Sequence, residues 1–272
     1  MNICTIPIQN NHCALMGIVN VTPDSFSDGG KFLDGSKAVE HALQLAKEGA
    51  DIIDIGGEST RPGALPVSTD DELARVIPVI EGIRRKSGIP ISIDTTKSAV
   101  AKAALHAGAN MINDISAGRF DPEMFSLAAH TQVPICLMHM KGTPSTMQKD
   151  PHYDDVMVEI ISFLKESIEL AEKVGVKREM IMVDPGIGFG KTVEDNLIIL
   201  KRLGELKKLG VPIVIGTSRK SFIGKVLDVD IENRLEGTLA TLAASIQARA
   251  KVLRVHDVAA AKRFVTMYLA CL

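Results

Sequence analysis

Hydrophobic positions along the chain fall into short unbroken runs. Each run is closed by a polar residue and followed by a glycine- or proline-containing loop, then by a stretch of helical period. The runs are Leu15 to Asn20, Asp51 to Gly56, Ile89 to Asp94, Asn110 to Asn113, Val133 to His139, Met180 to Asp184, Val211 to Gly216 and Lys251 to His256, eight in all. They are apolar throughout instead of alternating, which is the pattern of parallel strands covered on both faces. The segments between them predict eight amphipathic helices with their own start and stop signals. Thr69-Asp70-Asp71-Glu72 reads as a capping box ahead of the apolar face of Leu73, Ile77 and Ile80. Asp121-Pro122-Glu123 sets a capping residue before a first-turn proline, and Gly49 and Gly108 stand where helical runs stop. Eight such units with no Pro/Gly/Ser-rich linker predict a single (β/α)8 barrel, a TIM barrel, over residues 1–272. Residues 1–13 are then an extension before the first barrel strand, expected across the barrel bottom. A doubly wound open sheet is the other architecture that this alternation allows.

In a barrel, chemistry gathers where the strands end at their C-terminal side. The residues at those ends are Asn20, Glu58, Asp94, Asn113, His139, Asp184, Ser218 with Lys220, and Arg254 with His256. A polar group capping an apolar strand must be hydrated, paired or used. Any one of these alone reads most simply as a structural hydrogen bonder, but a whole rim of them defines a ligand site. Asp94, Asn113 and Asp184 suit a planar heterocycle offering several N–H donors, and equally a hard cation such as Mg2+. Arg254 and His256 lie two apart on a strand, so they project to the same side and suit an anion. Gly216-Thr217-Ser218-Arg219-Lys220 reads as a helix start whose free N–H groups attract a second anion. The loops 22–30 and 57–63 carry Phe26, Asp28 and Arg61 among turn formers and read as lids that close over the rim.

Composition narrows the partners. With 31 basic and 33 acidic side chains the net charge is −2, which advertises no basic face for nucleic acid or a membrane surface. No apolar run approaches the ~18 residues that a spanning helix needs. The four cysteines, Cys4, Cys13, Cys136 and Cys271, have no C-x-x-C spacing, and the first basic residue is Lys31, so the expectation is a reduced, cytoplasmic protein without a leader.

The sequence blocks resemble one family. Gly17-Ile18-Val19-Asn20-Val21-Thr22-Pro23-Asp24-Ser25-Phe26-Ser27-Asp28-Gly29 is similar to the first signature of the dihydropteroate synthases. Glu58-Ser59-Thr60-Arg61-Pro62-Gly63, Asp184-Pro185-Gly186-Ile187-Gly188-Phe189-Gly190-Lys191, Gly216-Thr217-Ser218-Arg219-Lys220-Ser221 and Arg254-Val255-His256-Asp257 resemble its later blocks in order. Met138-His139-Met140-Lys141-Gly142-Thr143-Pro144 also fits, with Lys141 where a glutamine is more usual. The resemblance implies a barrel enzyme of folate biosynthesis that joins 6-hydroxymethyl-7,8-dihydropterin diphosphate to p-aminobenzoate. It also implies Mg2+, a homodimer, and sulfonamides as p-aminobenzoate mimics.

Residue by residue, the resemblance implies that Asp94, Asn113 and Asp184 hold the pterin edge, Lys220 contacts the ring, and Met138, Phe189 and Gly216 line the slot. Arg254 would stack on the pterin and reach the diphosphate, which His256 grips. Asn20 would bind Mg2+ or the diphosphate, and Thr60 would add a hydroxyl. Ser218 would receive the p-aminobenzoate carboxylate, with Lys220 beside it, Phe26, Arg61 and Pro62 walling that pocket and Asp28 ordering the closed loops. Asn20, Asp94, Lys220, Arg254 and His256 are the expected catalytic set. Replacing Arg254 is expected to cripple turnover while largely sparing the fold. Two other functions share parts of this pattern: a methyltetrahydrofolate-dependent corrinoid methyltransferase and a non-catalytic pterin-binding paralogue.

Overall fold

The computed structural model describes residues 2–3, 6–7, 13–22, 31–60 and 63–272. Residues 2–3 and 6–7 pair as a short antiparallel hairpin. Eight further strands follow: β1 Ala14–Asn20, β2 Ile52–Gly56, β3 Ile91–Asp94, β4 Met111–Asp114, β5 Ile135–Met138, β6 Ile181–Asp184, β7 Val214–Ile215 and β8 Val252–Val255. Each lies on one of the expected runs, except that β1 begins one residue earlier, at Ala14, and β4 ends one later, at Asp114. All neighbours are parallel, in the order β6-β5-β4-β3-β2-β1-β8-β7. The ends of that series meet through a single parallel bridge, Val183 to Ile213. The sheet is therefore a barrel and not a doubly wound layer.

The parity of each strand explains why its run is continuously apolar. One set of positions, including Ile53, Ile55, Ile91, Ile93, Ile112, Leu137, Val183 and Leu253, belongs to the large core that joins strands to helices. The alternate set, Ala14, Met16, Ile52, Met111, Cys136, Met182, Val214 and Val252, forms a separate buried cluster, the filling of the barrel. Two residues farther along β2, β3, β4, β6 and β8 on this inner parity stand Asp54, Asp94, Asn113, Asp184 and Arg254, with Ser92 beneath Asp94. The apolar filling thus gives way to a charged layer toward the C-terminal ends.

Among the described residues there are nine α-helices: α1 Lys31–Lys47, α2 Thr69–Arg84, α3 Ser98–His106, α4 Glu123–Thr131, α5 Val156–Val174, α6 Val193–Arg202, α7 Ser221–Leu227, α8 Leu235–Gln247 and α9 Val258–Ala270. The extra helix over the expected eight arises because α7 and α8 both lie between β7 and β8. Gly49 and Gly108 take positive φ at their helix ends, as expected. The α2 cap is corrected by one residue: Ser68, not Thr69, accepts the Asp71 N–H through Oγ at 3.1 Å. The reciprocal capping box is instead on α6, where Thr192 and Asp195 exchange side-chain and backbone bonds. Asp121 serves two helices, accepting from Glu123 N at 3.0 Å and from Ser98 N at 2.7 Å. No helix among the described residues is long and apolar enough to cross a membrane.

Candidate active site

Strand register sets the site. Asn20 faces Gly56, Gly56 faces Asp94 and Asp94 faces Asn113, so four neighbouring strands present one level of the rim. Into this level reaches Arg254 from β8. Its Nε donates to Asp54 Oδ2 at 2.6 Å and its terminal NH2 to Asp94 Oδ2 at 2.7 Å. Asn113 Nδ2 donates to the same Asp54 oxygen at 3.1 Å. Burial works against the Arg254 charge, but Asp54 and Asp94 outweigh it and hold the guanidinium ionised. Asp54 is fully buried and was missed in the sequence, although a carboxylate inside Ile52-Ile53-Asp54-Ile55 is a signal, since a charge within an apolar strand must find a partner.

The two expected heterocycle carboxylates each keep one oxygen free of protein hydrogen bonds among the described residues. Asp184 Oδ1 accepts the Gly186 N–H at 2.6 Å, leaving Oδ2; Asp94 commits Oδ2 to Arg254, leaving Oδ1. Burial raises both carboxyls, Asp184 to about 6 against the pull of the Gly186 N–H and Lys220, and Asp94 against that of Arg254. Lys220 places its Nζ 4.1 Å from the Phe189 ring centroid and donates to no protein oxygen among the described residues. Burial, with Arg254 adding to it, lowers its ammonium to about 8, while Asp184 and Asp94 oppose the shift. Met138 and Phe189 are buried with Ile115, Met140 and Met147 in an apolar cluster, as a slot for a flat ring requires. At Gly216, directly after β7, an added Cβ would lie 3.7 Å from that of Arg254.

The anion side is tied together by Ser218. Its Oγ accepts the His256 backbone N–H at 3.1 Å and lies 3.0 Å from His256 Nδ1. Burial lowers the imidazole to about 4, with Arg254 and Arg219 pushing the same way, so His256 is neutral at pH 7. The expectation that Ser218 opens a helix is corrected: α7 begins at Ser221 and Lys220 is its cap. Ser218 sits in a turn whose next residue, Arg219, is left-handed at φ 55°. That turn is held by the Arg219 fork on Asp257, at 2.8 and 2.6 Å, by Thr238 Oγ1, and by Arg234 donating to the Arg219 carbonyl.

Two rim candidates have other partners. Glu58 accepts from Lys97, which also bonds buried Glu72 at 2.6 Å, and its second oxygen takes the Val67 N–H at 3.2 Å. It therefore anchors the loop after β2, where Thr60 lies half-buried. His139 is buried against Lys191, also unforeseen in the sequence. Phe26, Asp28, Arg61 and Pro62 lie outside the described residues. Among the described residues no three His, Cys, Asp or Glu side chains form a metal-holding group. Half-buried Asn20 offers one amide oxygen at the β1 end, which fits a hard ion that takes its other ligands from diphosphate and water.

Among the described residues the rim thus carries two carboxylate oxygens without protein partners, a lysine that meets the Phe189 ring and an apolar cluster beside them. The chain belongs to the pterin binding enzyme family, whose model matches residues 16–256. Its relatives include dihydropteroate synthases. The chain is 51% identical over 247 residues to that of Synechocystis sp., covering 90% of this chain and 86% of the relative. It superposes on the Xanthomonas albilineans dihydropteroate synthase in complex with 7,8-dihydropteroate with a TM-score of 0.88, at 44% identity over 97% of this chain and 95% of the other. The Yersinia pestis dihydropteroate synthase with a sulfonamide drug matches with a TM-score of 0.93, at 40% identity over 100% of this chain and 98% of the other.

Proposed function

We propose that this chain is a dihydropteroate synthase, joining 6-hydroxymethyl-7,8-dihydropterin diphosphate to p-aminobenzoate with release of pyrophosphate and 7,8-dihydropteroate. The observation that carries this reading is the set of unused groups on one rim. The free oxygens of Asp184 and Asp94 accept N–H donors from the pterin edge, Lys220 supplies donors to its carbonyl and ring nitrogens, and Met138 and Phe189 exclude water from its faces. Asn113 spends Nδ2 on Asp54, which leaves its carbonyl oxygen to accept from the same edge. On the other side Arg254 and neutral His256 face the diphosphate. The Ser218 hydroxyl accepts the His256 backbone N–H and shares a second hydrogen bond with Nδ1, so it couples the imidazole to the anion side of the rim.

The reaction needs no protein nucleophile. The C–O bond breaks with its electron pair leaving on pyrophosphate, and the aniline nitrogen attacks the resulting pterin methylene cation and sheds a proton. Arg254 and His256 stabilise the charge that builds on the departing oxygens, and the carboxylates beside the ring favour the cation. Asn20 would hold Mg2+ together with the diphosphate and Thr60 would add a hydroxyl to the diphosphate, and the ion would supply further neutralisation of the leaving group. Ser218 and Lys220 hold the p-aminobenzoate carboxylate, which sulfonamides imitate. By the family resemblance, Phe26, Arg61 and Pro62 would contact p-aminobenzoate and Asp28 would order the loops. The same reading makes the protein a cytoplasmic homodimer. The free Cys13, Cys136 and Cys271 suit a reducing compartment, and light scattering of the purified protein checks the dimer.

Purified protein mixed with both substrates and Mg2+ must form dihydropteroate; a protein that binds the pterin but makes no product would be the non-catalytic paralogue. A pH dependence follows. Asp184 must be ionised to accept, and its carboxyl in the free protein is raised to about 6, so pterin binding draws a proton from it. Pterin affinity therefore falls as pH drops through 6, Asp184 contributing about tenfold per unit once it is protonated and Asp94, whose carboxyl burial also raises, adding to the fall. For the free protein the sign is reversed: between the ordinary carboxylate value and 6 the folded state binds the extra proton, so stability from this group declines as pH rises. Calorimetric titration at pH 5 and 7.5 reads the first effect, and equal affinities would remove Asp184 from the site. Ser218→Ala should free the His256 ring to exchange tautomers, visible in its 15N shifts, and raise the p-aminobenzoate KM about tenfold, as loss of a hydrogen bond to a charged group does. An unchanged ring spectrum would refute the link.

A further inference from the structure

Lys191 is a buried lysine that the reaction does not use. It directly follows the tight turn after β6, and among the described residues no carboxylate bonds it. Its Nζ lies 3.0 Å from His139 Nδ1, 3.0 Å from the Phe189 carbonyl and 3.5 Å from the His139 carbonyl. Nζ thus meets three acceptors from the ends of two neighbouring strands, and burial lowers its ammonium to about 7 against the pull of Asp184 and Asp195. His139 must be neutral to accept, and burial with Lys191 beside it pushes its imidazolium down to about 2. Nδ1 is the acceptor, so the ring proton is on Nε2.

The surrounding backbone leaves this turn little freedom. Gly186 and Gly190 have φ of 69° and 65°. A Cβ on Gly186 would overlap the His139 carbonyl oxygen, and one on Gly190 the Lys141 carbonyl oxygen. On its outer side Gln148 donates to the Gly188 carbonyl at 2.8 Å and Tyr153 to that of Gly190 at 2.6 Å. Lys191 holds the same turn from its buried side. The turn carries Phe189, whose ring packs with Met138 and supports the Lys220 ammonium.

We propose that Lys191 is a positioning residue: it clips the β6 turn to the end of β5 and so sets the slot between Phe189 and Met138 for a flat heterocycle, acting through the Phe189 carbonyl and His139. This rests on the pterin reading of the rim. A wall displaced by a fraction of an ångström spoils the ring contact directly, whereas the second substrate's pocket meets this turn through Lys220 alone and keeps its hold on Ser218.

The test binds 6-hydroxymethyl-7,8-dihydropterin to the full chain by calorimetry and measures KM for both substrates. Lys191→Met is expected to raise the pterin Kd and the pterin diphosphate KM about tenfold, leaving the p-aminobenzoate KM within about twofold. His139→Asn, which keeps an acceptor near the Nδ1 position, should bind the pterin like wild type. His139→Leu should match Lys191→Met, and the double variant should be no worse than either. The two His139 variants carry the test if Lys191→Met fails to fold. A wild-type pterin Kd in Lys191→Met, a parallel rise of both KM values, or identical behaviour of Asn and Leu at 139 would overturn the assignment. Wild-type protein that does not bind this pterin would overturn the site reading as well.

Discussion

Arg254→Ala should lose both turnover and stability. In turnover the loss is of the donor that meets the departing diphosphate, and removal of one such preorganised group costs about 10²–10³ in kcat. The stability loss was not legible in the sequence, where the fold was expected to be largely spared. Arg254 is the partner of Asp54, which is fully buried and whose Oδ1 has no hydrogen bond among the described residues. Stripping a buried pair of one member costs about 3–5 kcal/mol, because the remaining charge has lost its compensation. At ~2–4 °C per kcal/mol for a chain of this size class, Tm should fall by about 10 °C. Arg254→Lys keeps the charge but cannot fork to two carboxylates, so it should recover part of the stability and little of the rate. Steady-state kinetics and a thermal melt read both quantities. A variant melting with wild type would mean that Asp54 is content without its guanidinium and that the charged layer is not coupled as the distances indicate.

Asp184→Asn should separate binding from folding in the opposite way. The amide oxygen still accepts the Gly186 N–H, but the other position now offers an N–H toward the N–H donors of the ring. Charge-assisted hydrogen bonds contribute about 1.5–3 kcal/mol each, so losing an acceptor and gaining a clash of donors predicts a pterin Kd at least about 100-fold higher. Because burial already disfavours the ionised form of this carboxyl, the free variant should be no less stable than wild type above pH 6. Calorimetry with the pterin alone and melts without ligand check the two halves. Pterin binding at wild-type strength would refute the assignment.

The strands were readable because a parallel barrel strand must be apolar on both faces, and the polar residues that close each run had to be explained. The inner charged layer was not readable, since Asp54 meets its Asn113 partner from 59 residues away only once the barrel is formed. Lys191 was hidden for a related reason: its acceptors come from 52 residues away and from a backbone carbonyl, neither of which leaves a local signature. The turn at Ser218 misled because Gly-Thr-Ser reads as a helix opening, whereas the left-handed Arg219 is enforced by Asp257, 38 residues later. Ser68 and Thr69 are both good caps, and only the geometry chooses between them. Glu58 was rightly placed at the rim, but Lys97 and Glu72 make it a loop anchor.

The barrel closes between β6 and β7 through one bridge, Val183 to Ile213, with the Val183 N–H on the Pro212 carbonyl at 3.0 Å. Every other junction is a longer ladder. Asp184 stands on one side of this seam and Lys220 follows the other. A ring that engages both residues therefore works as a cross-tie, fastening the two loosest staves of the wall and making the occupied enzyme mechanically stiffer than the empty one.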